Sequence, residues 1–195
     1  MYYKELTSQS LARALSRGGP GFKDYRVTFP DRTKLNIRCA HDQVYADLMG
    51  PLGIDDLEPL LPVVRPGGRV LEFNAGTGYR AFWLSFVVGP SGGVVAISLH
   101  PSHTAFAAKR YARPNVAFET GEGFALAGET DGAFAAVIAV TIPMQDPPSN
   151  QLTLLHELWR LTASGGALLV GIEPDPSGPL SRAVAEIAEE DAAEL

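Results

Sequence analysis

The sequence predicts a doubly wound α/β fold, and two patterns lead to that prediction. From residue 69 onward, short apolar runs alternate with helix-length segments, and these runs are continuously apolar. Continuous apolar runs are typical of strands buried on both faces of a parallel sheet. Strands separated by helices indicate right-handed crossovers, with helices on both faces of the sheet. Five segments have the strand pattern: RVLEFN (69–74), GVVAISL (93–99), NVAFET (115–120), FAAVIAV (134–140) and GALLVGIE (166–173).

The connections between these strands are mostly helical in pattern. In the first of them, aromatic residues recur at helical spacing, which predicts that Phe82, Trp83 and Phe86 face the sheet. The same reasoning assigns Leu155 and Trp159 to the core side of the last connecting helix. The connections are AFWLSFVVG (81–89), PSHTAFAAKRYA (101–112), the glycine-rich and mostly loop-like GEGFALAGETDGA (121–133), and SNQLTLLHELWRLTA (149–163).

The N-terminal part of the chain has a different pattern. In DYRVTFPDRTKLNIRC (24–39), apolar residues alternate on either side of PDRT, whose Pro-Asp pair is typical of a turn, so we predict a β-hairpin. We therefore expect an N-terminal helix and β-hairpin arm at residues 1–50 and the α/β domain at residues 51–195. Apolar spacing predicts further helices at 2–17, 41–50, 54–64 and 179–195.

Composition restricts the classes of function. The net charge of -6 and the pI of about 5.2 argue against a broad phosphate-binding surface. The single cysteine, Cys39, cannot form an intrachain disulfide, and the N-terminal segment lacks the apolar core of a signal peptide. No apolar run approaches the ~20 residues that span a bilayer, so we expect a cytoplasmic protein. Basic residues are concentrated in the first forty positions: Lys4, Arg13, Arg17, Lys23, Arg26, Arg32, Lys34 and Arg38.

The turn after the first strand of the sheet, EFNAGTG (72–78), is the candidate ligand site. In an open parallel sheet, ligands bind beyond the carboxyl ends of the strands. Gly76 and Gly78 allow the backbone to turn tightly and approach a ligand closely, and the following helix presents N–H groups at its start. Because any strand-to-helix loop needs small residues, the turn alone is a weak indication of function.

The order of the motifs resembles that of the class I S-adenosylmethionine-dependent methyltransferase family, and it extends over roughly residues 54–173. PGGRVLE, GPSGGVV and GEG are closest to the branch that contains the protein isoaspartyl methyltransferases and some tRNA methyltransferases. The resemblance implies a Rossmann-like sheet with strand order 3-2-1-4-5. The matching segments are VRPGGRVLEFNAGTGY, VVGPSGGVVAISLHP, NVAFETGEGF, DGAFAAVIAV and LHELWRLTASGGALLVGIE.

The resemblance also implies S-adenosylmethionine as the cofactor and assigns residues to its site. Glu72, which ends the first strand, would lie near the amino group of the methionine moiety. The other implied contacts are the turn residues Asn74, Ala75, Gly76, Thr77 and Gly78, the ribose-facing residues Ser98, Leu99 and His100, the adenine-facing residues Gly121, Glu122, Gly123 and Phe124, and the floor residues Val140 and Thr141.

The sequence departs from the family pattern at three places. Asn74 stands where the family usually has glycine, although asparagine tolerates the left-handed conformation better than other residues. Ser98 stands where the family has the acid that holds both ribose hydroxyls, and a lost charged acceptor costs about 1.5–3 kcal/mol. The usual final antiparallel hairpin is replaced by the helix-like segment 179–195. We therefore expect the fifth strand to be an exposed edge, unless the N-terminal hairpin, the last helix or a second copy covers it.

The sequence assigns no catalytic residue. His41, His100 and His103 are candidates for substrate or ligand contact near the cofactor end of the sheet. DPPS (146–149) resembles the acid-Pro-Pro-aromatic motif of amino-methyltransferases, with serine in place of the aromatic residue. We predict no metal site, because no Cys/His cluster has ligand spacing, and no serine hydrolase, because the chain has no G-x-S-x-G elbow.

Two functions of different classes fit these patterns. The first is an enzyme that transfers a methyl group from S-adenosylmethionine to an acceptor, which we expect to be a small molecule or a protein in preference to RNA. The second is a catalytically inactive methyltransferase-like domain that acts as an interaction module or subunit, in which case the open sheet edge would dock a partner or a second copy. A related transferase with another nucleoside cofactor is a third alternative. Micromolar binding of S-adenosylmethionine or its demethylated product would distinguish the enzyme from the interaction module.

Overall fold

The computed structural model of the protein describes residues 22–40, 54–121, 126, 128–139, 148–171 and 178–193. The predicted helices at 2–17 and 41–50 lie outside these residues. The strands are β1 (Phe22–Thr28), β2 (Lys34–Ala40), β3 (Arg69–Phe73), β4 (Gly93–Ser98), β5 (Val116–Thr120), β6 (Phe134–Ala139) and β7 (Thr162–Val170). The helices are α1 (Tyr79–Val87), α2 (Pro101–Arg110), α3 (Pro148–Arg160) and α4 (Pro179–Ala193), with a 3-10 helix at Asp55–Leu60.

Strands β3 to β7 form one parallel sheet with the order β5-β4-β3-β6-β7. Counted within the sheet, this order is 3-2-1-4-5, so the predicted Rossmann-like, doubly wound fold is confirmed. The central strand is β3, in which Glu72 lies opposite Ala96 of β4 and Ile138 of β6. The carboxyl ends of β4, β3 and β6 are therefore neighbours at one end of the sheet.

Alternating residues of β3 belong to two different apolar layers. Val70 packs in a cluster with Trp83 of α1 and Ala107 of α2. Leu71 packs in a second cluster with Leu158 of α3. Because successive strand residues point to opposite faces, helices cover both faces of the sheet, as the continuously apolar runs predict.

The aromatic residues of α1 follow the prediction only in part. Trp83 is fully buried, and Phe82 is half-buried against the same cluster. Phe86 is 40% exposed, so its predicted place in the sheet-facing core is wrong. Phe82 and Phe86 lie one helical turn apart on the flank of α1, with ring centroids 5.1 Å apart. There the guanidinium of Arg113, 3.7 Å from the ring centroid, covers Phe86 in place of the sheet.

The last helix changes the surroundings of α3. Leu155 is fully buried, but its cluster includes Leu180 and Ile187 of α4, and the half-buried Trp159 packs against the same cluster. The core side of α3, which carries Leu155 and Trp159, is thus shared between β7 and α4.

The segment 54–64 is not the α-helix that its apolar spacing predicts. Only the 3-10 helix Asp55–Leu60 forms there, and it contains Pro59. Leu57 and Leu61 donate their N–H groups to carbonyl oxygens three residues earlier, at 3.3 and 3.1 Å. A proline inside the segment lacks the N–H group that an α-helix needs, which explains why only a tighter and shorter helix forms.

The predicted β-hairpin is confirmed. Strands β1 and β2 pair antiparallel from Phe22 opposite Ala40 to Thr28 opposite Lys34. Its turn is held by Asp31, which accepts hydrogen bonds from the N–H and the hydroxyl of Thr33 at 3.0 and 2.6 Å. A carboxylate that bonds the backbone two residues further on is a common turn device.

The hairpin packs against α1 and the end of α2. Phe29 stacks on Trp83 with ring centroids 5.1 Å apart, and the Trp83 indole N–H donates to Asp31 at 3.0 Å. The N–H of Arg38 donates to the Tyr111 hydroxyl at 2.7 Å. Through these contacts the hairpin side chains join the core cluster of the sheet. A boundary between arm and domain near residue 50 stays a prediction.

Strand β7 is at the edge of the sheet. It pairs with β6 on one side, and no strand within the described ranges pairs with its other side. Helix α4 packs on α3, and Leu168 and Val170 of β7 pack against the cluster that these two helices form. The predicted helix after the fifth strand is present as α4.

Candidate functional site

The turn between β3 and α1 has a strongly left-handed backbone. Asn74, Gly76 and Gly78 have φ angles of 56, 54 and 79°. Asparagine is one of the few residues other than glycine that adopts this conformation readily, so the turn keeps its shape without glycine at position 74, as predicted. The N–H of Ala75 donates to the Ile97 carbonyl at 2.9 Å, which joins the turn to β4.

The two glycines of the turn have different surroundings. Among the described residues, a Cβ at Gly76 would meet no atom within 4 Å, whereas a Cβ at Gly78 would lie 2.7 Å from both the Ala107 Cβ and the Phe118 Cε1. Gly78 is thus required for packing against α2 and β5. Gly76 borders open space, where a ligand can approach the backbone closely.

Ser98, at the end of β4, is turned toward this loop. It is 3% exposed, and its Oγ donates a hydrogen bond to the Gly76 carbonyl at 3.0 Å. Its own carbonyl accepts the N–H of Gly121 at 3.1 Å. Ser98 therefore connects the turn to the strand ends on both sides of it, and its hydroxyl proton is used within the protein.

Glu72 forms a buried ion pair that the sequence analysis did not anticipate. The Arg80 Nε donates to Glu72 Oε1 at 2.7 Å, and the two side chains are 4% and 0% exposed. The Arg80 Nη1 also donates to the Tyr79 hydroxyl at 2.9 Å. A signal for this pair exists in the sequence: an acid in a buried strand needs a partner, and Arg80 follows in the first turn of α1.

Thr77 contributes a second buried polar group. The residue is 5% exposed, and its Oγ1 has no hydrogen-bond partner among the residues that the structure describes. Buried hydroxyls without a partner are uncommon, because each costs about 1–3 kcal/mol. A hydrogen bond that the described residues leave unmade can be made by a ligand.

The loop after Ser98 leads to two histidines. Leu99 is half-buried against the apolar cluster on the α3 face. His100 is exposed at the start of α2, and its ring centroid lies 5.3 Å from that of His103. Burial, and secondly the neighbouring His100, lower the pKa of His103 below its ordinary value of 6.5. Both effects favour the neutral imidazole, which can accept a hydrogen bond.

Several predicted site residues lie outside the described residues, so their contacts with the turn stay predictions. These residues are Glu122, Gly123, Phe124, Val140, Thr141 and the candidate His41.

Within residues 22–40, 54–121 and the later described ranges, no group of three His, Cys, Asp or Glu side chains is placed to hold a metal ion. The described helices include none that is long and apolar enough to cross a membrane.

The fold and the turn together define a class: a doubly wound α/β protein with a left-handed, glycine-containing turn at the carboxyl end of the central strand, where such sheets bind ligands. The family model described as protein-L-isoaspartate(D-aspartate) O-methyltransferase matches residues 46–190. The chain belongs to this family, so the resemblance to class I S-adenosylmethionine-dependent methyltransferases is confirmed.

The chain is also similar to individual methyltransferases. It is 28% identical to an arsenite methyltransferase of Aquipseudomonas alcaligenes over 116 residues, which cover 55% of this chain and 33% of that protein. The chain thus spans about a third of the length of that relative.

Two solved structures share the fold. One is a SAM-dependent methyltransferase from Aquifex aeolicus, with 19% identity, a TM-score of 0.52, and coverage of 76% of this chain and 81% of that one. The other is an arsenic (III) S-adenosylmethionine methyltransferase from Chlamydomonas reinhardtii, with 22% identity and a TM-score of 0.50. The match covers 67% of this chain and 53% of that one.

Proposed function

We propose that the protein is an S-adenosylmethionine-dependent methyltransferase whose cofactor binds over the turn 74–78. The observation that carries this proposal is the space at Gly76 that the described residues leave open, inside a left-handed turn at the carboxyl end of the central strand. Such a turn lets a ligand contact the backbone directly and reach the N–H groups at the start of α1. Family membership supports the same cofactor.

The described residues fit an adenosyl ligand with an amino-acid tail. The first N–H groups of α1 and the hydroxyl of Thr77 are hydrogen-bond donors for the tail. The hydroxyl of Ser98 is already bonded to Gly76, so the exposed His100 is the side chain of this loop that we assign to the ribose. Adenine would lie beyond Gly121, next to the end of β5.

S-adenosylmethionine, when bound, supplies a methyl group on a sulfonium centre, and a nucleophile of the acceptor takes that methyl group. The contribution of the chain is to hold the ligand in one orientation above the sheet, because a fixed geometry removes much of the entropic barrier to transfer. The rigid turn, with bonds to Ile97 and Ser98, is suited to this role.

The acceptor that we propose is a small molecule or a protein in preference to RNA. The net charge of -6 opposes association with a polyanion. Arsenite, the acceptor in the name of one relative, is a soft species that thiolates bind well. Cys39 is the single cysteine of this chain, so its own side chains do not supply a set of thiolates.

The proposal is tested by calorimetric titration with S-adenosylhomocysteine. We expect a Kd below about 50 µM, which corresponds to roughly -6 kcal/mol. Gly76→Ala places a methyl group in the open space and should weaken binding at least tenfold. Gly89→Ala is the matched control. Gly89 also has a positive φ, of 66°, and no atom of the described residues lies within 4 Å of its Cβ position, but it lies beyond the far end of α1.

An equal loss of affinity for S-adenosylhomocysteine in Gly76→Ala and Gly89→Ala would show that backbone strain, and not contact with the ligand, weakens binding. No heat and no thermal shift at millimolar ligand would contradict the proposed function. If binding is present, methyl transfer to an isoaspartyl peptide, with the matching aspartyl peptide and arsenite as comparisons, tests the acceptor class.

A further inference from the structure

The outer face of the hairpin and the end of α2 together form a positively charged surface. Residues 24–38 carry four basic and two acidic side chains, and residues 109–113 carry three basic and no acidic ones, in a protein whose net charge is -6. The two segments meet at the Asp24 carboxylate, whose oxygens lie 2.6 Å from the Arg38 Nη2 and 3.5 Å from the Arg110 Nη2. One carboxylate thus lies between two guanidinium groups, so an excess of positive charge remains there.

Arg26 extends this surface along the hairpin. It follows Asp24 by two residues in β1, so both side chains point to the outer face, and its cross-strand neighbour is the neutral Asn36. Arg26 is exposed and belongs to none of the ion pairs that the described residues form. Its charge is therefore accessible to a partner.

Aromatic rings continue the surface from the end of α2 to the flank of α1. The Arg110 guanidinium lies 5.7 Å from the centroid of the Tyr111 ring. Tyr111 stacks on Phe82, and Phe82 meets Phe86 edge to face, with centroids 4.9 and 5.1 Å apart. Phe86 is 40% exposed, the one exposed large apolar side chain among the described residues, and the Arg113 guanidinium lies 3.7 Å from its centroid. Aromatic and arginine side chains are the types that contribute most at protein interfaces.

We propose that this surface, formed by Arg26, Arg38, Arg110, Arg113 and Phe86, binds a short acidic segment of a partner polypeptide that also presents an apolar side chain. Carboxylates of the segment pair with the guanidinium groups, which suit two-pronged contacts with a carboxylate. The apolar side chain of the segment covers the exposed part of the Phe86 ring and removes it from water. The inference does not rest on the proposed cofactor or acceptor.

The extent of the charged surface favours a short acidic segment over a nucleic acid. Charges in solution act over about 8–10 Å at moderate ionic strength, so a short segment experiences mainly the positive surface. A long polyanion also meets the rest of a protein whose net charge is -6, which opposes its association. In addition, sites for single strands stack successive bases on several aromatic rings, whereas the described residues expose one large aromatic side chain, Phe86.

The inference is tested by fluorescence anisotropy with the full chain and a labelled peptide in which one phenylalanine stands between two runs of glutamate. We expect a Kd below about 100 µM at low ionic strength, which rises as salt is added. Arg26→Glu should raise this Kd by about threefold or more. Arg182→Glu is the matched control, because it makes the same change of net charge at an exposed position of α4, which belongs to a different apolar cluster from the hairpin.

A second comparison tests the contact with Phe86. A peptide with serine in place of its phenylalanine should bind the unaltered protein about threefold more weakly or worse. The same change of peptide should alter the Kd of Phe86→Ala much less, because the two apolar groups no longer meet in that variant. An equal effect of the serine peptide on the two proteins would overturn the contact with Phe86.

Three results would overturn the inference as a whole. One is an equal rise of Kd in Arg26→Glu and Arg182→Glu, which would assign binding to net charge and not to this surface. Another is the absence of binding at millimolar peptide. The third is a lower Kd for a labelled oligouridylate than for the acidic peptide, which would make the surface a nucleic-acid site. Titration with S-adenosylhomocysteine is a separate measurement, so each of these results leaves the proposed function unaffected.

Discussion

The Oγ of Ser98 donates a hydrogen bond to the carbonyl oxygen of Gly76 at 3.0 Å, so the end of β4 is tied directly to the turn after β3. In the methyltransferases that the chain resembles, this position carries an acid. In this protein the side chain is 3% exposed and supports the loop.

Replacing Ser98 should affect stability before it affects ligand affinity. Ser98→Ala loses one hydrogen bond, and we expect a loss of about 1 kcal/mol in the free energy of unfolding. Ser98→Asp places a carboxylate, which cannot donate a proton when ionised, against the Gly76 carbonyl, so it should cost more than Ser98→Ala. Urea denaturation measures both effects. Tighter binding of S-adenosylhomocysteine by the Asp variant would contradict this interpretation.

Gly78→Ala should destabilise the protein more than Gly76→Ala. Both substitutions force an alanine into a left-handed conformation, at about 1–2 kcal/mol each. At Gly78 the new Cβ also approaches Ala107 and Phe118 at 2.7 Å, which adds roughly 1–3 kcal/mol of overpacking. Thermal or urea unfolding of the two variants provides the comparison. Equal stabilities would mean that α2 and β5 move away without cost.

Asp31 should be required for the attachment of the hairpin to α1. It accepts the indole N–H of Trp83, a residue that is fully buried. Asp31→Ala leaves this donor without its partner and should cost about 1–3 kcal/mol. Asp31→Asn keeps an oxygen acceptor and serves as the control, with a smaller loss. Denaturant unfolding followed by tryptophan fluorescence measures the stability of both variants. If Asp31→Ala is as stable as the unaltered protein, Asp31 is not required to attach the hairpin to α1.

Acid should weaken the ion pair between Glu157 and Arg160 within α3. Arg160 donates to Glu157 at 2.6 Å and also bonds Asp131, and its hydrogen bond is the main cause that holds the pKa of Glu157 below its ordinary value of 4.5. A carboxylate with a lowered pKa in the folded state stabilises the protein above pH 4.5. This contribution is lost as the pH falls from 4.5 through the lower pKa that Glu157 has in the folded protein.

The expected size of this effect is about 1 kcal/mol or less, as for other partly exposed ion pairs. The free energy of unfolding of Glu157→Gln should therefore depend less on pH below 4.5 than that of the unaltered protein. Glu186→Gln is the control, since Glu186 is an exposed carboxylate of α4 outside the ion pairs that the structure describes. Identical pH profiles for all three proteins would exclude the contribution of Glu157.

The sequence was sufficient to predict the parallel sheet, because strands buried on both faces require continuous apolar runs, and these runs are visible in the sequence. It also predicted the hairpin, whose alternation and turn residues are local signals. It failed for 54–64, where apolar spacing suggested a helix that Pro59 does not allow. Phe86 was misplaced because spacing locates a residue on one side of a helix but does not show where the core ends.

The site was predicted at the level of the backbone and less well at the level of side chains. The positions of Asn74, Gly76 and Gly78 follow from local conformational preferences. The ion pair between Glu72 and Arg80 and the bond from Ser98 to Gly76 depend on which side chains meet in three dimensions. Apolar periodicity carries no information about such polar pairs.

The contacts that hold the turn have a consequence for the kinetics of ligand binding. Its shape is set by bonds within the protein, from Ser98 and from the Ala75 N–H, and by the close packing of Gly78. The conformational entropy of this loop is lost when the chain folds and not when a ligand arrives. Association at the turn should therefore proceed in a single exponential phase, with a rate proportional to ligand concentration and no slower step of loop ordering.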